Sequence, residues 1–592
     1  MKMAGELSAF EAGWHHFQQR EFDSALTYLT WAITGNENAD KACYLRGNIQ
    51  LERKNFVLAI SDYSAALAHN SKLVEALLNR GTAFQENGQM SAAMSDFTEA
   101  IAMRPKLFNG YFCRARLLQS TKASKEALDD FHRALELSPG STVIRNAIGS
   151  VYLELNDFAT AFEIFDDIVA DAPDYVPALS NRGAALKALS RPQEARCDFE
   201  MAVQMAPDLA TAYYNLGDIQ REMGEYEPAL ENFLHARHKG HHQHSVNWSM
   251  GLCLLALGEY ATGWDLFEDR LQVSEFTESA FKGHATLQHT QVRNAREDII
   301  SRRIFLAGEQ GVGDCIMFLS ILPDLVADAG EVFCQLDNRL IGLFSRCFPD
   351  VKFVASGTRS RRPSEEADRC IRMGSLGYSY RRAIDAFPGI PYLTPAPTRV
   401  AQWKSRIPVE SKKHVIGLSW RGGSSKTNGK NRSLTLAELA PLLDRDDCIF
   451  VSLQHGDVAA EIADFNAART NKVLSFPPDD LHDFEDFAGL IGAVDYVVSI
   501  DNTTLHLCGA LGKPCYALLS RTAEWRYGAT GDTLPWYQSV KLFRQHHDGQ
   551  WRDVIEKIDD ALTVMGGTLC DVPEPFKASG NMGCTRNSPV LP

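Results

Sequence analysis

Residues 306–318, LAGEQGVGDCIMF, lead a short apolar run into a glycine-rich turn holding Glu309, Gly311, Gly313 and Asp314. A turn of this kind can cradle a phosphate, hold a catalytic carboxylate at a helix start, or only connect a strand to a helix. Two nucleotide signatures are excluded by counting. GVGDCI lacks the third glycine of G-x-G-x-x-G, since Ile316 stands there. In GSSKTNGKN five residues rather than four separate Gly423 from Gly429, and Asn431 replaces the hydroxyl with which a P-loop binds magnesium. That same segment still carries Arg421, Lys426, Lys430 and Arg432 on one loop, ahead of a capping box formed by Thr435 and Glu438. Further on, VVSIDNTTLHLCGALGKP turns at Asp501, Asn502, Thr503 and Thr504 into a helical stretch containing His506. Hydroxyls and free amides at a helix N-terminus make a ready site for a diphosphate.

These residues need a scaffold, and 592 residues are too many for one core; ordinary domain sizes imply three or four units. A net charge of -15 argues against a general binder of nucleic acid or anionic membranes. Thirteen cysteines without a C-x-x-C pair read as reduced thiols rather than a disulfide frame or zinc site. The start, MKMAGELSAFEAGWHHF, has no apolar stretch of signal-peptide length, so a cytoplasmic protein is expected.

A period of 34 dominates the first half. From Gly13 it lands on Gly47, Gly81, Ala115, Gly149, Gly183, Gly217 and Gly251. Twelve residues after each come Ala25, Ala59, Ala93, Ala127, Ala161, Ala195, Ala229 and Gly263. Small residues let paired helices approach, Phe97, Phe131, Phe165, Phe199 and Phe233 are expected to fill the gap to the next pair, and Pro105, Pro139, Pro173 and Pro207 close four units. The pattern resembles eight tetratricopeptide repeats over residues 1–272. Asn79, Asn181 and Asn215 recur two positions before the small residue. A row of amides on one helix face can pair with the backbone of a bound polypeptide, as in the asparagine ladder of repeat-bearing O-GlcNAc transferases, or simply belong to the repeat.

Residues 273–299 read as a linker. Short β-rich runs then alternate with helical stretches in two blocks, 300–395 and 412–565, which implies parallel sheets covered by helices and a ligand cleft at the strands' carboxyl ends. The segment 566–592 has no period and is expected to be disordered.

GEQGVGDCIMFLSILPDL, GLSWRGG, NRSLTLAELAPLL, FVSLQHGD, SIDNTTLHLCGALGKP and WYQSVKLFRQ resemble the bacterial tetratricopeptide-repeat glycosyltransferases, whose catalytic part is similar to the heptosyltransferases with a GT-B fold of two Rossmann-like halves. LLALGEYATGWDLFEDRL matches that group's last repeat. The resemblance implies a nucleotide-sugar donor on the second half, at Arg421, Lys426, Lys430, Arg432, Asp501, Asn502, Thr503, Thr504 and His506, with Gly311 and Gly313 beside it. It makes Asp314 the base, with Glu309 as substitute, for inverting, metal-independent transfer without a bound cofactor. Two departures, a short first half and Asp-Asn-Thr where the family has Asp-Thr-Gly, stand against heptose and lipopolysaccharide. The expected function is a protein O-glycosyltransferase that holds an acceptor polypeptide on Asn79, Asn181 and Asn215 and glycosylates its Ser or Thr hydroxyls. Members of this layout modify flagellin with nonulosonic acids such as pseudaminic acid, so flagellin is the expected partner. The alternatives are an envelope saccharide transferase and a non-catalytic scaffold for a secreted client.

Overall fold

The computed structural model describes residues 7–273, 296–309, 311–356, 367–408, 413–422, 432–467, 469–481, 483–547 and 549–565. Most of the expected linker, the expected disordered tail, Lys426 and Lys430 lie outside these residues.

Sixteen α-helices run from Ala9–Gln18 to Tyr260–Phe267 among the described residues, and the first helix of a repeat packs on its second, as Ala39–Glu52 does on Phe56–His69. Glycine permits the approach within a pair. A Cβ at Gly81 would lie 2.5 Å from Phe97 Cε1, and one at Gly183 would lie 2.6 Å from Phe199 Cε1. Each of these rings therefore sits on the glycine of its own pair, and the aromatics also reach the next pair as expected, Phe97 clustering with Leu117, Phe131 with Ile148 and Phe165 with Leu179. Prolines 105, 139, 173 and 207 follow helices ending at Met103, Leu137, Asp171 and Met205.

A second device recurs with the same period. Arg46–Asp62, Arg80–Asp96, Arg114–Asp130 and Arg182–Asp198 pair the first helix of a repeat with its second at 2.6, 2.7, 2.7 and 2.6 Å. The guanidinium grips its aspartate with two or more N–H groups each time, fixing the rotation of one helix about the other.

Beyond the repeats, β1 (Arg303–Ala307), β2 (Glu331–Leu336), β3 (Lys352–Ala355) and β4 (Arg369–Arg372) form a parallel sheet in the order β3-β2-β1-β4. A seven-stranded sheet follows, built from β5 (His414–Ser419), β6 (Cys448–Ser452), β7 (Val473–Leu474), β8 (Tyr496–Ile500), β9 (Cys515–Leu519), β10 (Thr533–Leu534) and β11 (Tyr537–Arg544). Its order is β10-β11-β9-β8-β5-β6-β7, parallel throughout except for the β10–β11 pair. Alternate residues feed opposite faces. Val497 and Ala517 join the core that also holds Ile304 and Leu306 of the first sheet, while Val498 and Leu518 face Ile555 and Ile558. Behind the capping box of Thr435 and Glu438 the α-helix is short, Ala440–Leu443. Pro441 has no N–H for the bond to Ala437 that a continuous helix would need.

The chain divides into two compact units, 1–219 and 220–592. The expected boundary after residue 272 falls inside the second unit, because the eighth repeat is part of its core. Leu255, Trp264 and Phe267 belong to the same apolar cluster as β1. The Trp264 indole donates to the Arg381 carbonyl at 2.7 Å, and a Cβ at Gly377 would lie 2.4 Å from the Trp264 ring.

Gly183→Val should force its helix pair apart and cost about 1–3 kcal/mol, the usual penalty for overpacking a filled contact. A urea melt followed by circular dichroism checks this, and an unchanged midpoint would mean that Phe199 yields freely.

Candidate functional site

The loops that leave the carboxyl ends of β1, β5, β8 and β9 meet. Asp314 follows β1, Arg432 follows β5, Asp501 follows β8, and Glu524 and Arg526 follow β9. The contact is tight because Gly313 has no side chain: a Cβ there would lie 3.1 Å from His506 Cδ2 and 3.5 Å from the Thr503 Cα. The turn after β1 thus rests on the start of the helix Thr503–Ala510 in the other sheet's half.

A chain of alternating charges runs through this meeting. Asp314 Oδ1 pairs with Arg526 Nη2 at 2.5 Å, and Arg526 Nη1 pairs with Glu524 at 3.0 Å. Glu524 then pairs with Arg432 at 3.1 Å, and Arg432 Nε reaches Asp501 at 3.0 Å while its Nη2 donates to the Asp501 carbonyl at 2.7 Å. Two guanidinium groups face three carboxylates. Side-chain exposure is 1% at Asp501 and 18% at Asp314, the two ends of the chain, and reaches 40% at Glu524 in its middle.

Burial decides the protonation states. Desolvation pushes the Asp501 carboxyl up to about 7 against the pull of Arg432. Arg526 holds the Glu524 carboxyl below its ordinary value against the opposing effect of burial. His506 is buried and pushed well below the usual imidazole range, so it is neutral, and its Nε2 lies 3.1 Å from the Tyr527 hydroxyl. Burial also raises the Tyr527 phenol far above its ordinary value.

Several expected site residues work behind this surface rather than on it. Glu309 is completely buried, bound to Arg270 at 3.0 Å and to the Gly374 N–H at 2.6 Å, which corrects its reading as a substitute base: no acceptor hydroxyl can reach it. Asn502 caps the helix, accepting from the Thr504 and Leu505 N–H groups and donating to Ser419 Oγ at 2.8 Å. Thr504 is buried with its hydroxyl 3.4 Å from that same Ser419 Oγ, and His506 is 3% exposed, so neither presents a polar group to a donor. Thr503 is half-buried at the seam. Arg421 pairs with Glu461 at 2.7 Å and is 48% exposed. Gly311 gives its N–H to Asp314 Oδ2 at 3.2 Å, so Asp314 caps its own helix as well as meeting Arg526. Lys426 and Lys430 fall outside the described residues.

In the repeats, Asn79 Nδ2 donates to Asn48 Oδ1 at 2.9 Å and Asn181 Nδ2 to Asn146 Oδ1 at 3.0 Å. Those amides are thus already linked to the neighbouring repeat through their nitrogens.

Glu524, Arg526 and Tyr527 were not anticipated. They lie in SRTAEWRYG, an irregular segment after β9, and the available signal was charge placed directly behind an apolar strand.

The raised Asp501 carboxyl has a consequence for stability. A group whose folded value exceeds its unfolded value stabilises below the unfolded one, and that gain is lost as pH rises through the folded value. The window here runs from about pH 4 to about pH 7. Asp501→Asn should therefore gain in melting temperature relative to the parent as pH rises across that window. Melting curves that stay parallel from pH 5 to pH 8 would show that Arg432 fully offsets the burial.

Tetratricopeptide-repeat families match residues 10–72, 74–107 and 210–236. Among solved structures, the chain resembles a tetratricopeptide repeat protein from Parabacteroides merdae at 20% identity and a TM-score of 0.38, over 42% of this chain and 97% of that one. It also resembles TTC0263, a thermophilic repeat protein of Thermus thermophilus, at 18% identity and a TM-score of 0.28, over 31% of this chain and 99% of that one. Protein FlbA of Caulobacter vibrioides is 30% identical over 440 residues, which cover 70% of this chain and 72% of that protein. The match, 440 residues long, is longer than the repeats, whose last helix ends at Phe267, and extends into the sheet-bearing region. The chain is a tetratricopeptide-repeat protein that belongs to the family of Protein FlbA.

Proposed function

We propose that the chain is a protein O-glycosyltransferase of GT-B type, with the donor held on the second half and the acceptor polypeptide, flagellin being the best candidate, on the repeats. The observation that carries this reading is the meeting of Asp314 with Arg526, which Glu524 links on to Arg432, where loops from the carboxyl ends of both sheets converge. In the transfer step Asp314 takes the proton of a Ser or Thr hydroxyl as its oxygen bonds to the sugar carbon. The bond from that carbon to the phosphate oxygen breaks on the opposite face, and its electron pair leaves with the nucleotide. Arg432, with the cationic loop that continues from Arg421, supplies positive potential at the leaving phosphate without a metal. The acidic sugar of the donor, a nonulosonic acid, is the finer part of the proposal and rests on resemblance.

The two halves of the proposal are tested separately. Asp314→Asn removes a proton acceptor and almost no volume. It should lower transfer, assayed in EDTA, by roughly a hundredfold or more while nucleotide binding is not weakened. Transfer at the parental rate would move the base elsewhere.

The acceptor side is tested in the full chain, because truncation at residue 272 would cut Trp264 and Arg270 away from their partners. Asn181→Ala combined with Asn215→Ala should weaken acceptor binding, each lost hydrogen bond costing on the order of 1 kcal/mol, with donor affinity unchanged. Equal acceptor affinity in a pull-down titration would remove the asparagine row from the binding face.

A further inference from the structure

Arg526 joins the two halves at the point where chemistry would take place, and neither composition nor resemblance assigned it a role. Its Nη2 holds Asp314 from the first half, its Nη1 holds Glu524 from the second, and its side chain is only 11% exposed. Its Nε has no hydrogen-bond partner among the described residues.

This pairing bears on Asp314. One carboxylate oxygen is held by Arg526 at 2.5 Å and the other accepts the Gly311 N–H at 3.2 Å. Oδ1 is buried beside the guanidinium, so an incoming hydroxyl reaches that oxygen only when Arg526 moves aside. The surrounding charge bears on it too. Among the described residues two guanidinium groups stand against Asp314, Glu524 and Asp501, and Arg526 is already shared between two of these carboxylates. A negatively charged ligand is therefore accommodated by exchange, one carboxylate giving up its arginine as the ligand arrives.

We infer that Arg526 is the receptor for an anionic group of the donor adjacent to the transferred carbon, a phosphate or a sugar carboxylate, and that in taking it Arg526 releases Asp314 to the acceptor hydroxyl. This rests on the glycosyl-transfer reading. Asp314 is the carboxylate that leaves, because it comes from the other half and needs no movement of the β9 loop to do so, whereas Glu524 lies two residues from Arg526 and is also tied to Arg432. The exchange imposes an order: donor first, acceptor second, since the base becomes available only once the donor has claimed the guanidinium.

The test is a titration calorimetry measurement on the full-length chain with two probes, inorganic pyrophosphate for the phosphate source and N-acetylneuraminate for the sugar carboxylate. The parent should bind one of them. Arg526→Gln should bind that probe at least about tenfold more weakly, a difference of about 1.4 kcal/mol. Asp314→Asn should bind it at least about threefold more tightly, because the internal competitor has lost its charge, an effect that a merely structural pair does not produce. Whichever probe gives this opposed pair of shifts names the source. If Asp314→Asn binds no more tightly, or Arg526→Gln binds as well as the parent, or neither probe binds the parent, the exchange is overturned. Should Arg526→Gln melt far below the parent, Arg526→Lys takes its place, and the Asp314→Asn arm stands by itself. Because binding is read without turnover, the opposed shifts in a chain that transfers no sugar would retire the transferase and keep the anion receptor, and transfer without the shifts would do the reverse.

Discussion

Arg270 has no exposure at all, and a bare guanidinium in that position would cost several kcal/mol. The structure around it follows from neutralising that charge. Glu268 lies 2.7 Å away and Glu309 3.0 Å away, Ser375 Oγ accepts at 3.0 Å, and the guanidinium carbon stands 4.3 Å from the centre of the Phe267 ring. Glu309 in turn takes the Gly374 N–H, and any side chain at Gly374 would collide with it, its Cβ falling 1.9 Å from Glu309 Oε1. One buried charge thus ties together the end of the eighth repeat, the turn after β1 and the segment after β4. Asp314 lies five residues beyond Glu309 on that turn, so the last repeat helps to fix where the candidate base sits.

The seam between the two sheets obeys a different constraint, close approach. Gly313 brings the turn onto Thr503 and His506, and Gly509 lets Tyr537 press against the same helix, where a Cβ would lie 2.2 Å from the ring. With water excluded, the charges there interact strongly and become costly to leave unpaired. That is why the cluster forms an unbroken alternation of acid and base rather than scattered surface pairs, and why the Asp501 carboxyl titrates near neutrality while Glu524, nearer water and flanked by two arginines, stays ionised.

The repeats were legible because a 34-residue period carries its own geometry: a glycine that must face a ring predicts a helix crossing wherever it recurs. The strands were legible as apolar runs followed by polar turns, except β10, two residues long and antiparallel, which has no pattern to read. The site was half legible. The turn after β1 and the turn after β8 announced themselves by glycine and hydroxyl content, but Glu309 and Asp314 differ in burial, not in type, and no local pattern states which of two carboxylates in a turn faces inward. Arg526 was invisible for a related reason. Its meaning comes from Asp314, 212 residues earlier in the chain, and from a loop with no periodicity to mark it. The Arg–Asp pairs of the repeats could have been found, since arginine one before the small residue and aspartate sixteen after the arginine recur at 46, 80, 114 and 182.

The division at Ile219 and Gln220 sets a rule for chimeras. A repeat array is usually treated as a cassette to be exchanged whole, with the splice placed in the linker that follows it. Here such a splice would import a foreign eighth repeat lacking Arg270, Trp264 and Asp265, and the recipient would be left with an orphaned Glu309, an open slot opposite Gly377 and an unpaired Arg382. A splice that respects these contacts falls before the eighth repeat, which is inherited with the sheets it is built into.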